Sequence, residues 1–191
     1  MQISVIHDGE LWDRAVTLVK QRYLDRHAAA VEPTPQYFVV VQDKVGRLLA
    51  CAGLTFADTG PLFSECYLDL PVEQVARARL GVGYRREQIV EVGNLVACDP
   101  IAARLVVRMV PILAGSLGAR LLFCTVTDRV RGLLNACRLP FVPVCAAAAE
   151  RVGDPARWGR YYERAPQTGF IDLDGVVPDR RDSPRRERQA V

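Results

Sequence analysis

Between Ile89 and Pro100 the chain reads Ile-Val-Glu-Val-Gly-Asn-Leu-Val-Ala-Cys-Asp-Pro, and this stretch limits the fold more than any other. Its run of β-branched and apolar residues specifies a buried strand over Ile89–Ala97. Asp99 and Pro100 supply a helix N-cap and a first-turn proline for an apolar helix from Ile101 to Leu117, ending at Gly118. A carboxylate inside an apolar strand is costly unless it is paired or has work to do. Period-two alternation puts Glu91, Gly93 and Leu95 on one face and Val92, Asn94 and Val96 on the other. Gly93 in mid-strand marks the close approach of a backbone or a ligand.

The flanking segments fit around this strand. Residues 2–6 read as a short strand, and Glu10 to His27 carries apolar residues at helical spacing through Leu11, Ala15, Leu18 and Val19. Pro33 and Pro35 exclude further helix. Tyr37–Val41 and Leu48–Phe56 form a hairpin about the turn Asp43-Lys44-Val45-Gly46. Residues 61–68 fit either a third strand or a short helix, and Pro71 reads as the first-turn proline of a helix through Leu80. Leu121–Val126 is a buried strand, Asp128 caps a helix to about Cys137, and Phe141–Val144 is a last strand. A hairpin followed by strand–helix–strand–helix–strand implies an α/β (α+β) domain with a mixed, mainly antiparallel central sheet flanked by helices. That domain is expected over residues 1–175. Residues 176–191 hold five arginines among Asp, Pro and Ser and read as a disordered tail.

Several function classes are excluded. With His7 and His27 as the only histidines, a His-based metal site or a Ser-His-Asp triad is hard to build, and no metal is expected. The six cysteines form no CxxC pair and read as small buried hydrophobes. No GxxxxGK[ST] or strand-borne GxGxxG is present, which excludes the common nucleotide cradles. A net charge of +3, without a basic stripe interleaved with aromatics, gives no reason to expect nucleic acid as a partner. The N-terminus lacks a leader pattern and no apolar run is long enough to span a bilayer, so the cytoplasm is the expected location.

Three runs stand out together: Ala50-Cys51-Ala52-Gly53-Leu54-Thr55, Gly60-Pro61-Leu62-Phe63 and Glu91-Val92-Gly93-Asn94-Leu95-Val96. They resemble the GNAT superfamily, and within it the branch similar to acyl-homoserine-lactone synthases. The resemblance is closer to the family called thermostable hemolysins, through the same runs together with Tyr67-Leu68-Asp69, Pro71-Val72-Glu73 and Trp158-Gly159-Arg160-Tyr161-Tyr162. These pieces cover roughly residues 10–170. The resemblance implies a GNAT-like fold and an N-acyltransferase that moves an acyl group from a thioester to a small amine or amino acid. The donor would be acyl-coenzyme A or a phosphopantetheine-linked acyl group on a carrier protein, used as substrate, with no tightly bound cofactor.

On that basis Glu91 is the candidate general base and Asn94 a group that orients the acceptor or the pantetheine amides. Leu95, Val96 and Ala97 offer backbone N–H groups for the oxyanion. The helix start at Ala102, Ala103 and Arg104 is the candidate phosphate cradle. Phe63, Tyr67, Trp158, Tyr161 and Tyr162 are candidate acceptor-pocket residues, and apolar residues within 61–68 and 105–113 could line an acyl tunnel. The chain departs from the GNAT pattern where [QR]xxGx[GA] would wrap pyrophosphate, because it has Asp99-Pro100-Ile101-Ala102-Ala103-Arg104 there. Asp99 repels a phosphate, which favours a carrier-bound donor or a charge supplied by Arg104 or Arg108. Three alternatives stay open. Glu91 could be the ion-pair partner of an arginine, the domain could bind acyl groups without catalysis, or the protein could lyse membranes.

Overall fold

In a computed structural model describing residues 1–176, the apolar runs assemble into one seven-stranded sheet in the order β1-β2-β3-β4-β5-β7-β6. The strands are β1 (Gln2–Ile6), β2 (Tyr37–Gln42), β3 (Leu48–Phe56), β4 (Ile89–Ala97), β5 (Leu121–Val126), β6 (Val142–Ala146) and β7 (Gln167–Asp172). Every neighbouring pair is antiparallel except β4 and β5. The helices are α1 (Gly9–His27), α2 (Val72–Leu80), α3 (Pro100–Ser116) and α4 (Asp128–Ala136). None of them is long and apolar enough to cross a membrane.

Alternation along the strands decides which helix covers which face. In β2, Phe38 and Val40 pack with Ala15 and Val19 of α1, whereas Val39 and Val41 pack with Val106 and Val110 of α3. Ile89, Leu121 and Phe123 meet Val72 and Ala76 of α2 on the α1 face. Leu134 of α4 joins α3 on the other. The central strands are thus apolar on both faces, and the sheet is the middle of three layers.

The expected elements before Leu121 are present, with adjustments that have physical causes. Of the two readings of residues 61–68, the short helix is the one present, as a 3₁₀ helix over 63–67. Pro71 is the N-cap of α2 rather than its first helical residue, with its carbonyl accepting from Gln74 and Val75. Thr127, not Asp128, occupies the N-cap of α4, and Asp128 instead pairs with Arg131 one turn on. Strand β7 lies outside the sequence expectation. It inserts between β5 and β6 and completes the sheet. Gly169 in β7 is needed there, because a Cβ would stand 2.4 Å from the Val142 carbonyl oxygen. Apart from Val176, which closes the turn after β7, the expected arginine-rich tail lies outside the described residues.

Two features shape the ground beneath the site. β4 and β5 pair only from Ile89↔Leu121 to Glu91↔Phe123, so from Val92 onward the two strands have no ladder between them. On its other edge β4 is bulged: Gly93 pairs with Gly53 and Val96 with Cys51, leaving Asn94 and Leu95 opposite Ala52 alone. Asn94 takes up the bulge at φ +53°, a left-handed conformation that asparagine tolerates better than most residues. The extra residue reverses the alternation. Leu95 therefore joins the α3 core, and Val96 joins Cys51 on the α1 face, where Glu91 also points. The expected grouping of Leu95 with Glu91 fails for this reason.

Candidate active site

Where β4 and β5 part, clefts open on both faces of the sheet. On the α3/α4 side lies a cleft of about 530 Å³, lined by apolar side chains that include Val92, Val107, Val110, Leu134 and Leu139. On the α1 side lies a cleft of about 610 Å³, holding Glu91, Phe63, Tyr67, Trp158 and Tyr161. Tyr23, Val92, Gly93, Asn94, Thr125 and Tyr161 line both clefts, so the gap between the strands joins them.

Glu91 is buried, and no arginine pairs with it among the described residues. Its carboxylate accepts from the backbone N–H of Phe63 on Oε2 at 2.8 Å and of Ser64 on Oε1 at 2.9 Å. The ion-pair alternative is thus corrected: backbone donors, not a guanidinium, offset the burial. Burial still pushes the Glu91 carboxyl above its ordinary range, against the lowering pull of Ser64 and Phe63. The Ser64 hydroxyl continues the polar line at 2.8 Å to Thr125 Oγ1, which lies 2.8 Å from Thr168 Oγ1.

The donors to Glu91 are held in place by a separate ionic knot. Arg86 reaches both carboxylate oxygens of Glu65 at 2.9 Å, Glu73 at 2.8 Å, and the carbonyls of Ala57 and Gly60. Glu65 also accepts from the N–H groups of Leu62 and Val72. Burial alone would raise its carboxyl, but these bonds prevail and hold it at about 2. The loop from β3 to α2 is thereby fixed, with the 63–64 backbone aimed at Glu91.

The candidate acceptor-pocket residues come together. The Trp158 ring lies 5.1 Å from Phe63 and 5.3 Å from Tyr161, and the hydroxyls of Tyr67 and Tyr162 are 2.7 Å apart. Their segment docks on the end of α1, with Arg160 N–H donating to the His27 carbonyl at 2.7 Å. Gly159, at φ +50°, allows this approach, since a Cβ there would stand 2.2 Å from the His27 oxygen. Tyr23 completes the group and stacks on Tyr161. Burial pushes its phenol up to about 12. Tyr23 and Thr125 were not among the residues singled out from the sequence. In the sequence they look like one more apolar-face position of α1 and one more strand residue, and only the parting of β4 from β5 marks them.

Of the candidate donor-binding residues, Leu95 and Val96 line the apolar cleft, and Ala97 follows them at the end of β4. Ala102, Ala103 and Arg104 line neither cleft. Ala102 is fully buried in the core and Arg104 is exposed. The first N–H groups of α3 are already taken, because Asp99 Oδ1 accepts from Ile101 and Ala102 at 2.9 Å each. The Cys124 thiol borders the apolar cleft, and burial pushes it up to about 12, as it does Cys51.

The architecture has counterparts among solved structures. The N-acyl amino acid synthase FeeM from uncultured soil microbes superposes with a TM-score of 0.60 at 13% identity, over 91% of this chain and 95% of that one. BjaI, a CoA-dependent acyl-homoserine lactone synthase solved with SAM and isopentyl-CoA, gives 0.60 at 12% identity over 90% and 82%. The acyl-homoserine lactone synthase LasI gives 0.59 at 11% identity over 91% and 89%. At these identities the likeness is one of fold, and it is the GNAT-like fold. Among curated proteins, none matches the chain by sequence. The family model described as thermostable hemolysin matches residues 6–177, and the chain belongs to that family.

Proposed function

We propose that the protein is an N-acyltransferase that moves an acyl group from a pantetheine thioester to a small amine. The observation that carries this reading is the pair of clefts, one apolar and one with a buried carboxylate, joined through the split between β4 and β5. A thioester lying in the split would direct its acyl chain into the apolar cleft, and an amine would approach from the side of Glu91. The structures it resembles include an N-acyl amino acid synthase and an acyl-homoserine lactone synthase, which supports acyl transfer to an amine.

In this reading the amine nitrogen attacks the carbonyl carbon and forms the C–N bond. Glu91 takes the amine proton, directly or through water, at an oxygen lone pair not used by Phe63 or Ser64. A backbone N–H on the bulged stretch of β4, from Leu95 to Ala97, receives the oxyanion. The C–S bond then breaks, and the thiol leaves with the proton. Asn94 orients the acceptor or the pantetheine amides.

A second reading has its own observation. Both oxygens of Glu91 are engaged by backbone N–H groups, which suits a purely structural cap of the 63–67 turn in a domain that binds acyl thioesters without turning them over. One assay separates the two. Purified protein receives acyl-coenzyme A and acyl-carrier-protein donors with pooled amines and amino acids, and thiol release is followed beside product mass. Acceptor-dependent release that collapses in Glu91→Gln supports the proposal. Saturable donor binding with no release in the wild type supports the second reading and overturns the first.

A further inference from the structure

The apolar cleft has a charged mouth that the reaction outlined above does not use. Arg26 at the end of α1 and Arg129 in the first turn of α4 both line it. Arg26 is anchored by Nη2 donating to the Ala97 carbonyl at 3.1 Å, which places its guanidinium at the end of β4. Arg22, one turn earlier on α1, has a buried Nε without a partner. Arg129 and Arg22 both act on Arg26: beyond its own burial, Arg26 is made less basic by Arg129 and then by Arg22, with Cys98 and Asp25 opposing them more weakly. Among the described residues none of the three has a carboxylate within ion-pair distance, while Arg86, Arg120, Arg131 and Arg151 all do. Asp128 also lines the mouth but is taken by Arg131, and Glu163 is the other carboxylate there.

Like charges held together at the rim of a cleft are costly until an anion joins them. The usual alternative for an anion, the start of α3, is closed here, because Asp99 occupies its N–H groups and brings its own negative charge. We infer that Arg26 and Arg129, backed by Arg22, hold the phosphate of a phosphopantetheine arm at the mouth of the apolar cleft, in place of the helix N-terminus. The inference rests on the thioester reading of that cleft and names the charged group its donor carries. Coenzyme A and an acyl carrier protein share this phosphate, so either can present it. A planar guanidinium pair suits the free oxygens of this phosphate through paired N–H···O bonds.

The test is a binding measurement that needs no turnover. Calorimetry with 4′-phosphopantetheine and with pantetheine, which differ only in the phosphate, gives the preference directly. The wild type is expected to bind the phosphorylated form at least about tenfold more tightly, with the margin shrinking in high salt. Arg26→Gln and Arg129→Gln should each remove most of that margin, and Arg104→Gln should leave it intact. Equal affinities in the wild type, or a margin lost in Arg104→Gln and kept in the other two, would overturn the assignment. Coenzyme A binding more tightly than phosphopantetheine identifies it as the source, and equal binding points to a carrier protein. A phosphate preference without acyl transfer would sink the catalytic reading and leave this site standing.

Discussion

The backbone N–H of Ser64 donates to Oε1 of Glu91 at 2.9 Å, so the residue proposed as base is also the bond that pins the 63–67 turn to the sheet. The two roles give opposite results in a conservative variant. If Glu91 takes the amine proton, Glu91→Gln should lower acyl transfer by about 10²–10⁴-fold. Because burial raises the Glu91 carboxyl, the wild-type rate should climb with pH through a limb above the ordinary carboxylate range, and the variant should lack that limb. Glutamine also offers an amide N–H₂ to one of the two backbone donors, so unfolding free energy should fall by about 1–3 kcal/mol. A stability loss of that size with an unchanged rate would assign Glu91 to structure alone.

The Arg86–Glu65 knot predicts a second pH dependence of opposite origin. The Glu65 carboxyl moves from its ordinary 4.5 down to about 2 on folding. A lowered folded-state value means the native state binds its proton less readily, so the stabilisation is complete above pH 4.5 and is lost as pH falls toward 2. Denaturant midpoints measured across this window should fall steeply in the wild type. Glu65→Gln should start lower at neutral pH and show a shallower acid-side fall. An unchanged acid slope in the variant would mean that the knot does not control the loop.

Most of the fold was legible because its signals are local. Alternation and β-branched runs specified β2 to β5, and Asp99-Pro100 specified the start of α3. β7 was not legible, since Thr168-Gly169-Phe170-Ile171 is short, is interrupted by glycine and follows a loop of 3₁₀ turns. Its strand state comes from β5 and β6, which it joins. Glu91 could be singled out because a charge in an apolar strand stands out in any sequence. Its partners could not, because a backbone N–H from a loop leaves no mark in side-chain identity. The bulge at Asn94 was hidden for a related reason: a register shift belongs to a pair of strands, and alternation in one strand cannot record it.

The apolar cleft makes a prediction about chain length. Val110 of α3 and Leu134 of α4 both line it and are both nearly buried. Val110→Phe would fill part of the space that an acyl chain needs. The proposed enzyme should then favour shorter donors, with the ratio of kcat/KM for short over long acyl chains rising by about tenfold or more. That corresponds to excluding about two methylenes at about 0.8 kcal/mol each. Val110→Ala should shift the preference the other way. A ratio that does not move in either variant would place the acyl chain elsewhere.

Asn94 separates backbone from side chain. Its φ of +53° is open to glycine without cost and is strained for a β-branched residue by roughly 1–2 kcal/mol. Asn94→Gly should therefore fold with near-wild-type stability and keep the bulge that parts β4 from its regular register. Asn94→Val should lose stability by about that strain, because the bulge must flatten or hold valine left-handed. The Asn94 amide lies over Gly53, 3.0 Å from where a Cβ on that glycine would stand, and it faces both clefts. If the amide orients substrate, Asn94→Gly should raise KM or lower kcat by about tenfold while chemical denaturation shows a stable fold, since one lost hydrogen bond costs about 0.5–1.5 kcal/mol. Unchanged kinetics in a well-folded Asn94→Gly would mean that the residue is there for its backbone, to open the strand and nothing more.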